Sequence, residues 1–417
     1  MRVLFLTLCY LPDAAPNASV MTALAEGLKD LGHELNVVTA FPHYGQNRPY
    51  AGYGGLRLKY ESCSGIRVFR TPLYVGDEGS TRSKILSWLS FNVTGTWAAT
   101  RIGRPDVIIA PSPPPTLGLS ERLLARLWRI PYIYNVQDIY PDVGIEQGFL
   151  TNRSLITILR TMENLVYAKA SAVTVLSEAH RAILLAKGVA SQKVVVIPNV
   201  VDTDFLRPLP RNNPWSADQG VDGRFVVTYQ GNIGASQGLE TLLNAASRLM
   251  RRRDIIFLVI GRGTARASLE SQAQAQRLDN VRFLPFQPRE RLPEVYATAD
   301  VQLVSLRRGI SASVPSKAYS IMASGRPLVA AVEQKSEVAS LVERAGAGLV
   351  APPGNPEALA QAILYLAGDP ENRRRMGESG RAHVEQYYSK RAVSRQYDAL
   401  LSRVVKSKNE RAACAAS

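Results

Sequence analysis

Short apolar runs alternate with helix-like segments along this chain, and the alternation starts twice. The first series opens with a predicted strand at Arg2–Leu8 and continues to a second strand at Glu34–Thr39. The second series opens at Phe225–Tyr229, after a Pro-, Asn- and Asp-rich stretch from Phe205 to Gly223 that we interpret as a linker. Buried strands separated by helices are typical of parallel sheets with crossover helices. The pattern therefore predicts an α/β protein with two sheets.

The length agrees with two domains, because 417 residues exceed the size at which a single core stops growing. We predict two doubly wound Rossmann-like domains that face a central cleft, at residues 1–205 and 206–388. Residues 389–417 are predicted to form a helix that crosses back to the first domain, followed by a tail. A polar stretch at about 45–60 is predicted to be a long loop.

The charge balance favours anionic partners. Lys and Arg number 50 against 35 Asp and Glu, which gives a net charge of +15 and an isoelectric point near 9.8. Phosphorylated ligands and an anionic membrane surface fit this charge. Nucleic acid fits poorly, because the basic residues are dispersed and no RNA-binding or zinc-finger motif is present. We therefore expect no nucleic-acid partner.

Cysteine usage and hydropathy indicate the cellular compartment of the protein. Cys9, Cys63 and Cys414 are too few and too scattered for a disulfide framework or a zinc site. No convincing targeting signal and no uncharged run of membrane-spanning length is present. We expect a cytoplasmic protein, with peripheral contact to the inner face of the plasma membrane as an option.

That option rests on the predicted helix Ser83–Ile102. It carries Trp88, Phe91 and Trp97 among aliphatic residues, with basic residues near both ends. One interpretation is a helix packed in the core. The other is an interfacial helix that brings the protein to an anionic membrane.

A second informative stretch is Ser313–Val329, which has the form of a turn, a short helix, a tight turn and a buried strand. Pro315 suits a first helical turn, and Ser313 or Ser316 could cap the helix. Lys317 would add an ammonium charge beside free backbone N–H groups, an arrangement that holds phosphate. The alternative is an ordinary helix cap with a solvated lysine.

Polar and glycine-rich loops follow several predicted strands, where parallel sheets place ligands. In the second domain these loops are Gly231–Gly238 and Gly261-Arg262-Gly263, and neither matches a dinucleotide fingerprint or a P-loop. In the first domain they carry His43 and Asp138. The Asp202-Thr203-Asp204 triplet precedes the predicted linker, and we interpret it as a turn and not as a metal site.

In this order, the motifs resemble those of the retaining GT-B glycosyltransferases of family four, in particular the exopolysaccharide, O-antigen and colanic-acid branch. The matching segments are the Pro12–Ser19 loop with Leu31-Gly32-His33-Glu34, Val136–Pro141, Pro198–Asp202, Gly231–Gly234 with Gln237-Gly238-Leu239, Gly261–Gly263, Val314–Lys317, Met322–Pro327 and Gly348–Pro352. The resemblance covers nearly the whole chain. It implies a GT-B fold and sugar transfer with retention of configuration.

The chain departs from the family at four positions. The family's two diphosphate-binding cations correspond here to Asn232 and Gln237, and its pair of glutamates corresponds to Ala312 and Ser320. Lys317, with Arg326 or Arg262, would then have to supply the countercharge. Members of the exopolysaccharide branch are similar in carrying Pro-Ser-Lys.

The resemblance implies a set of site residues. The catalytic candidates are Asp138, which would orient or deprotonate the acceptor, and Lys317. The donor and diphosphate candidates are Gly231, Asn232, Gly234, Gln237, Gly261, Arg262, Pro315, Ser316, Lys317 and Ser320. The acceptor-side candidates are Asn17, His43 and Asp138. No cofactor and no metal is expected.

The implied reaction moves a sugar from a nucleotide diphosphate, most simply UDP and with an N-acetyl amino sugar as one option, to a polyprenyl-diphosphate-linked glycan in bacterial surface polysaccharide biosynthesis. Three alternatives remain open. A nucleotide-sugar epimerase of the same fold normally uses several carboxylates and histidines, and this chain has 4 histidines in all. An NAD-dependent oxidoreductase lacks its fingerprint glycines here. A non-catalytic nucleotide-sugar-binding protein fits Ala312 and Ser320.

Overall fold

The computed structural model describes residues 1–77, 80–146, 148, 150–310 and 316–414. The chain divides into two compact units. The N-terminal unit comprises Met1–Val200 and the segment from Lys390 onward, and the C-terminal unit comprises Val201–Ser389. Among the described helices, none combines the length and the apolar character that crossing a bilayer requires.

One sheet organises the N-terminal unit. Its described strands are β1 (Arg2–Leu6), β2 (Glu34–Ala40), β3 (Lys59–Cys63), β4 (Ile66–Thr71), β5 (Val107–Ser112), β6 (Tyr132–Val136), β7 (Ala172–Val175) and β8 (Val194–Val196). They lie in the order β3-β4-β2-β1-β5-β6-β7-β8. β3 pairs antiparallel with β4, and the other described neighbours are parallel. The carboxyl ends of the parallel strands therefore share one edge.

Helices follow most of these strands. They are α1 (Pro16–Asp30), α2 (Thr81–Thr100), α3 (Leu117–Trp128), α4 (Asp142–Glu146), α5 (Arg153–Lys169) and α6 (Glu178–Ala186). Local sequence sets several starts. Pro16 occupies the first turn of α1, and the side chains of Asn152 and Ser177 accept backbone N–H groups at the starts of α5 and α6.

The C-terminal unit repeats the architecture. Its strands are β9 (Phe225–Asn232), β10 (Ile255–Arg262), β11 (Val281–Leu284), β12 (Val301–Ser305), β13 (Leu328–Ala331) and β14 (Gly348–Ala351), all parallel in the order β11-β10-β9-β12-β13-β14. Its helices are α7 (Pro214–Asp218), α8 (Glu240–Arg248), α9 (Arg266–Ala275), α10 (Leu292–Thr298), α11 (Lys317–Ala323), α12 (Glu337–Ala345), α13 (Pro356–Gly368) and α14 (Pro370–Tyr387). The last helix, α15 (Lys390–Cys414), belongs to the N-terminal unit.

Both faces of the N-terminal sheet are covered by helices. Leu4 and Leu6 of β1 face a core that includes residues of α2, α3 and α5. Val3 and Phe5 face the opposite core, which includes residues of α1 and α15. Successive strand residues thus serve two cores, as expected of a doubly wound sheet. The predicted fold class, two Rossmann-like α/β domains with parallel sheets, is confirmed.

The predicted linker at 205–223 is wrong. Asn213 caps the short helix α7 by accepting from the backbone N–H groups of Trp215 and Ser216. Trp215 is 2% exposed, packs in the C-terminal core, and donates its indole N–H to Gln287 Oε1 at 3.0 Å. Pro and Asn signal a helix start here as readily as a loop, and a buried tryptophan fixes the segment in place.

The predicted loop at about 45–60 extends too far, because the strand β3 already begins at Lys59. β3 alternates between partly buried and exposed residues along the sheet edge. Its Glu61 accepts from the fully buried Arg70 of β4 at 2.5 Å. A polar edge strand of this kind lacks the apolar run by which buried strands are identified.

Candidate active site

The glycine-rich loop of the C-terminal unit begins where β9 and β10 end together. The two strands stay in register to their last residues, Gly231 opposite Gly261 and Asn232 opposite Arg262. Gly231 and Gly261 have φ values of 133° and 148°, which favour glycine. A Cβ on Gly261 would lie 1.9 Å from the Gly231 carbonyl oxygen. These glycines therefore let two backbones meet closely at the carboxyl edge.

Side chains fix the remainder of this loop. The Gly234 N–H donates to Gln237 Oε1 at 3.0 Å, and Gly238 adopts the left-handed conformation with φ 57°. The Ser305 hydroxyl at the end of β12 donates to the Gln237 carbonyl oxygen at 2.7 Å. Gln237 is thus held in the loop by its own backbone neighbours, and the exposed Asn232 carries no charge.

Lys317, the first residue of α11, reaches the same loop. Its Nζ donates to Tyr229 Oη at 2.8 Å, and Tyr229 Oη donates to the Asn232 carbonyl oxygen at 2.6 Å. A Cβ on Gly231 would lie 3.3 Å from Lys317 Nζ, so the ammonium lies directly against that glycine. Among the described residues, no carboxylate forms an ion pair with it.

The surroundings of Lys317 perturb its ionisation. Desolvation by burial lowers the pKa of Lys317 to about 8. Its partner Tyr229 is fully buried, and burial raises the pKa of the Tyr229 hydroxyl, which therefore stays protonated and able to donate. A partly buried ammonium that pairs with none of the described carboxylates, and that lies against glycine backbone, is suited to an anionic ligand.

The predicted capping role of Ser316 is wrong. Ser316 precedes α11 and is exposed, but its side chain caps no backbone N–H. Pro315, Ser313 and Ala312 lie outside the described residues. Ser320 lies inside α11, where its hydroxyl hydrogen-bonds to that of the buried Tyr296.

The two arginines considered for the countercharge lie at opposite edges of the sheet. Arg262 ends β10 at the carboxyl edge, with its guanidinium 5.6 Å from the ring centroid of Phe286. Arg326 follows α11, whose seven residues carry the chain roughly 10 Å back toward the start of β13. There it donates to the Leu209 carbonyl oxygen at 3.0 Å, and burial lowers its pKa. Arg326 is therefore not available beside Lys317.

The acceptor-side candidates follow three parallel strands of the N-terminal sheet. Asn17 follows β1, His43 follows β2 and Asp138 follows β6, so all three lie at the carboxyl edge. Asp138 has an exposed side, but the protein around it desolvates the carboxyl and raises its pKa. The buried Asn17 Oδ1 has no hydrogen-bond partner in the described part of the chain.

His43 has a partner that the sequence did not indicate. The side chain of Asp13 is 1% exposed, and its Oδ2 accepts from the His43 backbone N–H at 3.1 Å. The same oxygen lies 3.5 Å from His43 Nδ1, which also lies 2.9 Å from the Phe41 carbonyl oxygen. These bonds orient the imidazole, and only spatial proximity reveals them because 30 residues separate Asp13 from His43.

The Asp202-Thr203-Asp204 triplet forms a turn by its own hydrogen bonds. Asp202 Oδ1 accepts from the N–H groups of Asp204 and Phe205 at 3.2 and 3.0 Å, which confirms that this triplet forms a turn.

In the described part of the chain, no cluster of three or more His, Cys, Asp or Glu side chains could hold a metal ion.

Comparisons with known proteins agree with this architecture. The profile of the family described as "Glycosyl transferase 4-like domain" matches residues 18–200, and that of "Glycosyl transferases group 1" matches residues 213–383. WcaI of Escherichia coli (strain K12), which carries the name of a colanic acid biosynthesis glycosyl transferase, is 30% identical over 95% of this chain and 98% of its own.

Solved structures share the fold at low identity. HepE of Anabaena, in complex with UDP and glucose, superimposes with a TM-score of 0.73 at 18% identity, over 97% of this chain and 100% of its own. Sucrose-phosphate synthase from Thermosynechococcus elongatus gives 0.75 at 18% identity, over 98% of this chain and 100% of its own. The chain belongs to the GT-B glycosyltransferases in which a glycosyl transferase 4-like domain precedes a group 1 domain.

Proposed function

We propose that this glycosyltransferase moves a sugar from a nucleotide diphosphate donor to a polyprenyl-diphosphate-linked glycan, with retention of configuration, in the biosynthesis of a bacterial surface polysaccharide. The name of WcaI supports the pathway, and the UDP complex of HepE supports UDP as the first nucleotide to test. The donor domain is the C-terminal unit, and the acceptor domain is the N-terminal unit.

The observation that carries the proposal is the position of Lys317. A partly buried ammonium beside Gly231, with no carboxylate partner among the described residues, matches the charge of a donor diphosphate. The glycine-rich loop that contains Gly234 lies at the carboxyl edge of the C-terminal sheet, and so does Arg262. These groups would stabilise the diphosphate as it leaves, which is where negative charge develops in the transition state.

In the transfer step, the bond between the anomeric carbon and the diphosphate oxygen breaks, and its electron pair leaves with the diphosphate. The acceptor hydroxyl oxygen forms the new bond on the same face of the sugar. Asp138 would orient this hydroxyl or accept its proton, and desolvation raises the pKa of Asp138 in the direction that makes it a better base. Transfer is expected to proceed in the presence of a chelator.

The first experiment is a binding and thermal-shift screen against UDP, GDP, dTDP and ADP without added metal. Stabilisation by one nucleotide identifies the donor class, because a ligand that binds only the folded state raises the melting temperature. No stabilisation by any of them would contradict the donor site. Lys317→Met should weaken the response that is found.

Turnover then separates the transferase from its alternatives. Donor consumption that needs a polyprenyl-linked acceptor supports transfer, isomerised donor without acceptor supports an epimerase, and binding without turnover supports a non-catalytic protein. The anomeric configuration of the product, read by NMR, tests retention. Asp138→Asn should lower kcat by about 10²- to 10⁴-fold with unchanged UDP affinity; an unchanged kcat would remove Asp138 from the chemistry.

The proposed location is the cytoplasmic side of the plasma membrane, where a lipid-linked acceptor is accessible. Trp97 of the interfacial-helix hypothesis is 50% exposed, whereas Phe91 is fully buried and Trp88 packs edge-on against Tyr140 with centroids 5.9 Å apart. α2 therefore has apolar residues both in the core and on its outer face. A helix of this kind is expected to contact a second apolar phase.

A further inference from the structure

A pocket of about 560 Å³ lies within the C-terminal unit, at the amino edge of its sheet. Its lining includes Asp300, which directly precedes β12, and Gly325-Arg326-Pro327, which directly precede β13. The donor candidates Gly231 and Arg262 lie at the opposite, carboxyl edge. The five residues of β12 separate the two edges by roughly 16 Å. The pocket is therefore distinct from the candidate active site, and we call it the amino-edge pocket.

The lining of the amino-edge pocket carries more positive than negative charge. Five arginines and three carboxylates line it. Arg374 donates to Glu378 Oε1 at 2.6 Å, and Arg381 donates to Glu385 Oε1 at 2.7 Å. These two carboxylates each balance one arginine. The other three arginines share the third carboxylate of the lining.

That third carboxylate belongs to Asp300, whose side chain is 14% exposed. Its Oδ2 accepts from Val226 N–H at 2.8 Å and lies 3.4 Å from Arg211 Nε. Arg211 also lies 3.6 Å from Asp222, so its charge is balanced outside the pocket as well. One carboxylate then remains for Arg326 and Arg373, and the pocket keeps an excess of positive charge.

Arg326 has an incomplete set of hydrogen bonds. Its Nη2 donates to the Leu209 carbonyl oxygen at 3.0 Å, but its buried Nε has no hydrogen-bond partner in the described part of the chain. Burial lowers the pKa of Arg326, and the neighbouring Arg211 and Arg373 lower it further against the effect of Asp300. A guanidinium stays charged in proteins, so it cannot relieve this cost by losing a proton as a lysine can. An anion that accepts from Nε would offset the cost.

Arg373 of α14 has hydrogen-bonding capacity on the same pocket. Its Nη1 donates to the Leu366 carbonyl oxygen at 2.7 Å, and its guanidinium lies 5.2 Å from the ring centroid of Phe225. Its Nη2 lies 3.9 Å from Asp300 Oδ1, which is beyond hydrogen-bond distance. This nitrogen can therefore donate to a ligand without breaking a bond within the protein.

The segments that carry Arg326 and Arg373 are packed tightly against each other. A Cβ on Gly377 of α14 would collide with the Gly325 carbonyl oxygen, and a Cβ on Gly325 would lie 3.0 Å from Pro208. Arg381 of α14 donates to the Ala323 carbonyl oxygen at 2.6 Å. These contacts fix the two backbones relative to each other, which lowers the ordering cost of binding a ligand between them.

We propose that the amino-edge pocket binds the phosphate group of a small metabolite, with Arg326 and Arg373 as its ligands. Planar guanidinium groups match the oxygens of a phosphate, and a phosphate ester brings about 1.5 to 2 negative charges near pH 7. The volume of the pocket is sufficient for a sugar phosphate. The inference goes beyond the proposed function, because this site requires no binding at the donor edge.

Isothermal titration with glucose 1-phosphate, inorganic phosphate and glucose tests the site. The titrations use the full-length protein and its Lys317→Met variant, in which the donor edge lacks its ammonium. Glucose 1-phosphate and inorganic phosphate should bind to both proteins, and glucose should bind to neither. Tighter binding of the ester identifies a sugar phosphate as the ligand, and equal affinities identify free phosphate. Glucose that binds as tightly as its phosphate would overturn the proposal.

Substitutions within the pocket should weaken this binding. Arg373→Gln should lower the affinity for glucose 1-phosphate roughly tenfold, as expected for the loss of one charge-assisted hydrogen bond. Arg326→Gln should lower it at least as much. Arg373→Gln is the safer variant, because Arg326 also binds the Leu209 carbonyl. The control Arg375→Gln removes an exposed arginine of α14 outside the pocket lining and should bind the ester normally.

The pattern of losses separates this site from the donor site. Equal losses in Arg373→Gln and Arg375→Gln, or no phosphate binding by the unaltered protein, would overturn the proposal. So would binding that disappears in Lys317→Met and persists in Arg373→Gln, because the phosphate would then lie at the donor edge. UDP affinity and melting temperature should be unchanged in Arg373→Gln. If the protein binds no UDP but binds glucose 1-phosphate through Arg373, the proposed function is wrong and the amino-edge site stands.

Discussion

Donor affinity should fall steeply between pH 7 and pH 9 if Lys317 binds the diphosphate. Burial lowers the pKa of Lys317 to about 8, so the free protein has this ammonium about nine-tenths protonated at pH 7 and about one-tenth at pH 9. A bound diphosphate requires the charged form. At high pH, binding must therefore be accompanied by protonation of Lys317. This requirement lowers the affinity about tenfold between pH 7 and pH 9.

Fold stability should change in the opposite direction. The pKa of Lys317 is lower in the folded than in the unfolded protein, so the unfolded chain holds more protons between about pH 8 and pH 10.5. Stability therefore rises with pH in that window, as the cost of burying the charge is relieved. For the same reason, Lys317→Met should not lower the free energy of unfolding at pH 7. It should raise it by up to about 1–3 kcal/mol, because the variant buries no charge.

Isothermal titration with UDP at pH 7, 8 and 9 provides the measurement, with Lys317→Arg as the matched control. Arginine stays charged throughout, so the control should show a flat profile, and the comparison cancels any ionisation of UDP itself. A pH slope of equal size in both proteins would refute the assignment. So would a Lys317→Met variant that binds UDP as tightly as the unaltered protein at pH 7.

Two other substitutions test the geometry around this lysine. Tyr229→Phe removes the hydroxyl that joins Lys317 to the Asn232 carbonyl, and should weaken UDP binding roughly three- to tenfold by titration; unchanged affinity would make this contact incidental. Gly261→Ala places a Cβ 1.9 Å from the Gly231 carbonyl oxygen and should cost about 3 kcal/mol, or roughly 10 °C in the melting temperature. Its control, Gly368→Ala, meets nothing within 4 Å and should melt normally.

The buried strands were the most predictable part of the fold. Runs such as Ile255–Ile260 and Leu328–Ala331 are apolar throughout because parallel strands are covered on both faces. The strand β3 at the end of the predicted 45–60 loop was missed for the converse reason. One side of this edge strand faces solvent, so its sequence is polar and has no apolar run.

The candidate site was predictable only in part. Strand ends marked the loops that hold Gly231, His43 and Asp138, because the parallel strands of each sheet end at that sheet's own carboxyl edge. Contacts between residues that are far apart in the sequence had no sequence pattern that could predict them. Asp13 could not be paired with His43, and Tyr229 looked like an ordinary strand residue, until the structure brought each to its neighbour.

The position of Asn232 offers a rescue that tests the whole charge argument. Family resemblance puts a cation where Asn232 stands, and this exposed side chain follows Gly231 at the same edge as Lys317. Asn232→Arg in the Lys317→Met background should recover most of the lost UDP affinity, about tenfold, without the pH dependence, since arginine remains charged at pH 9. Arg251→Lys in the same Lys317→Met background is a change on the C-terminal unit that adds no charge, and it should recover nothing. If Asn232→Arg restores no affinity, the diphosphate is not bound at this loop, and Lys317 must act on the ligand in another way or not at all.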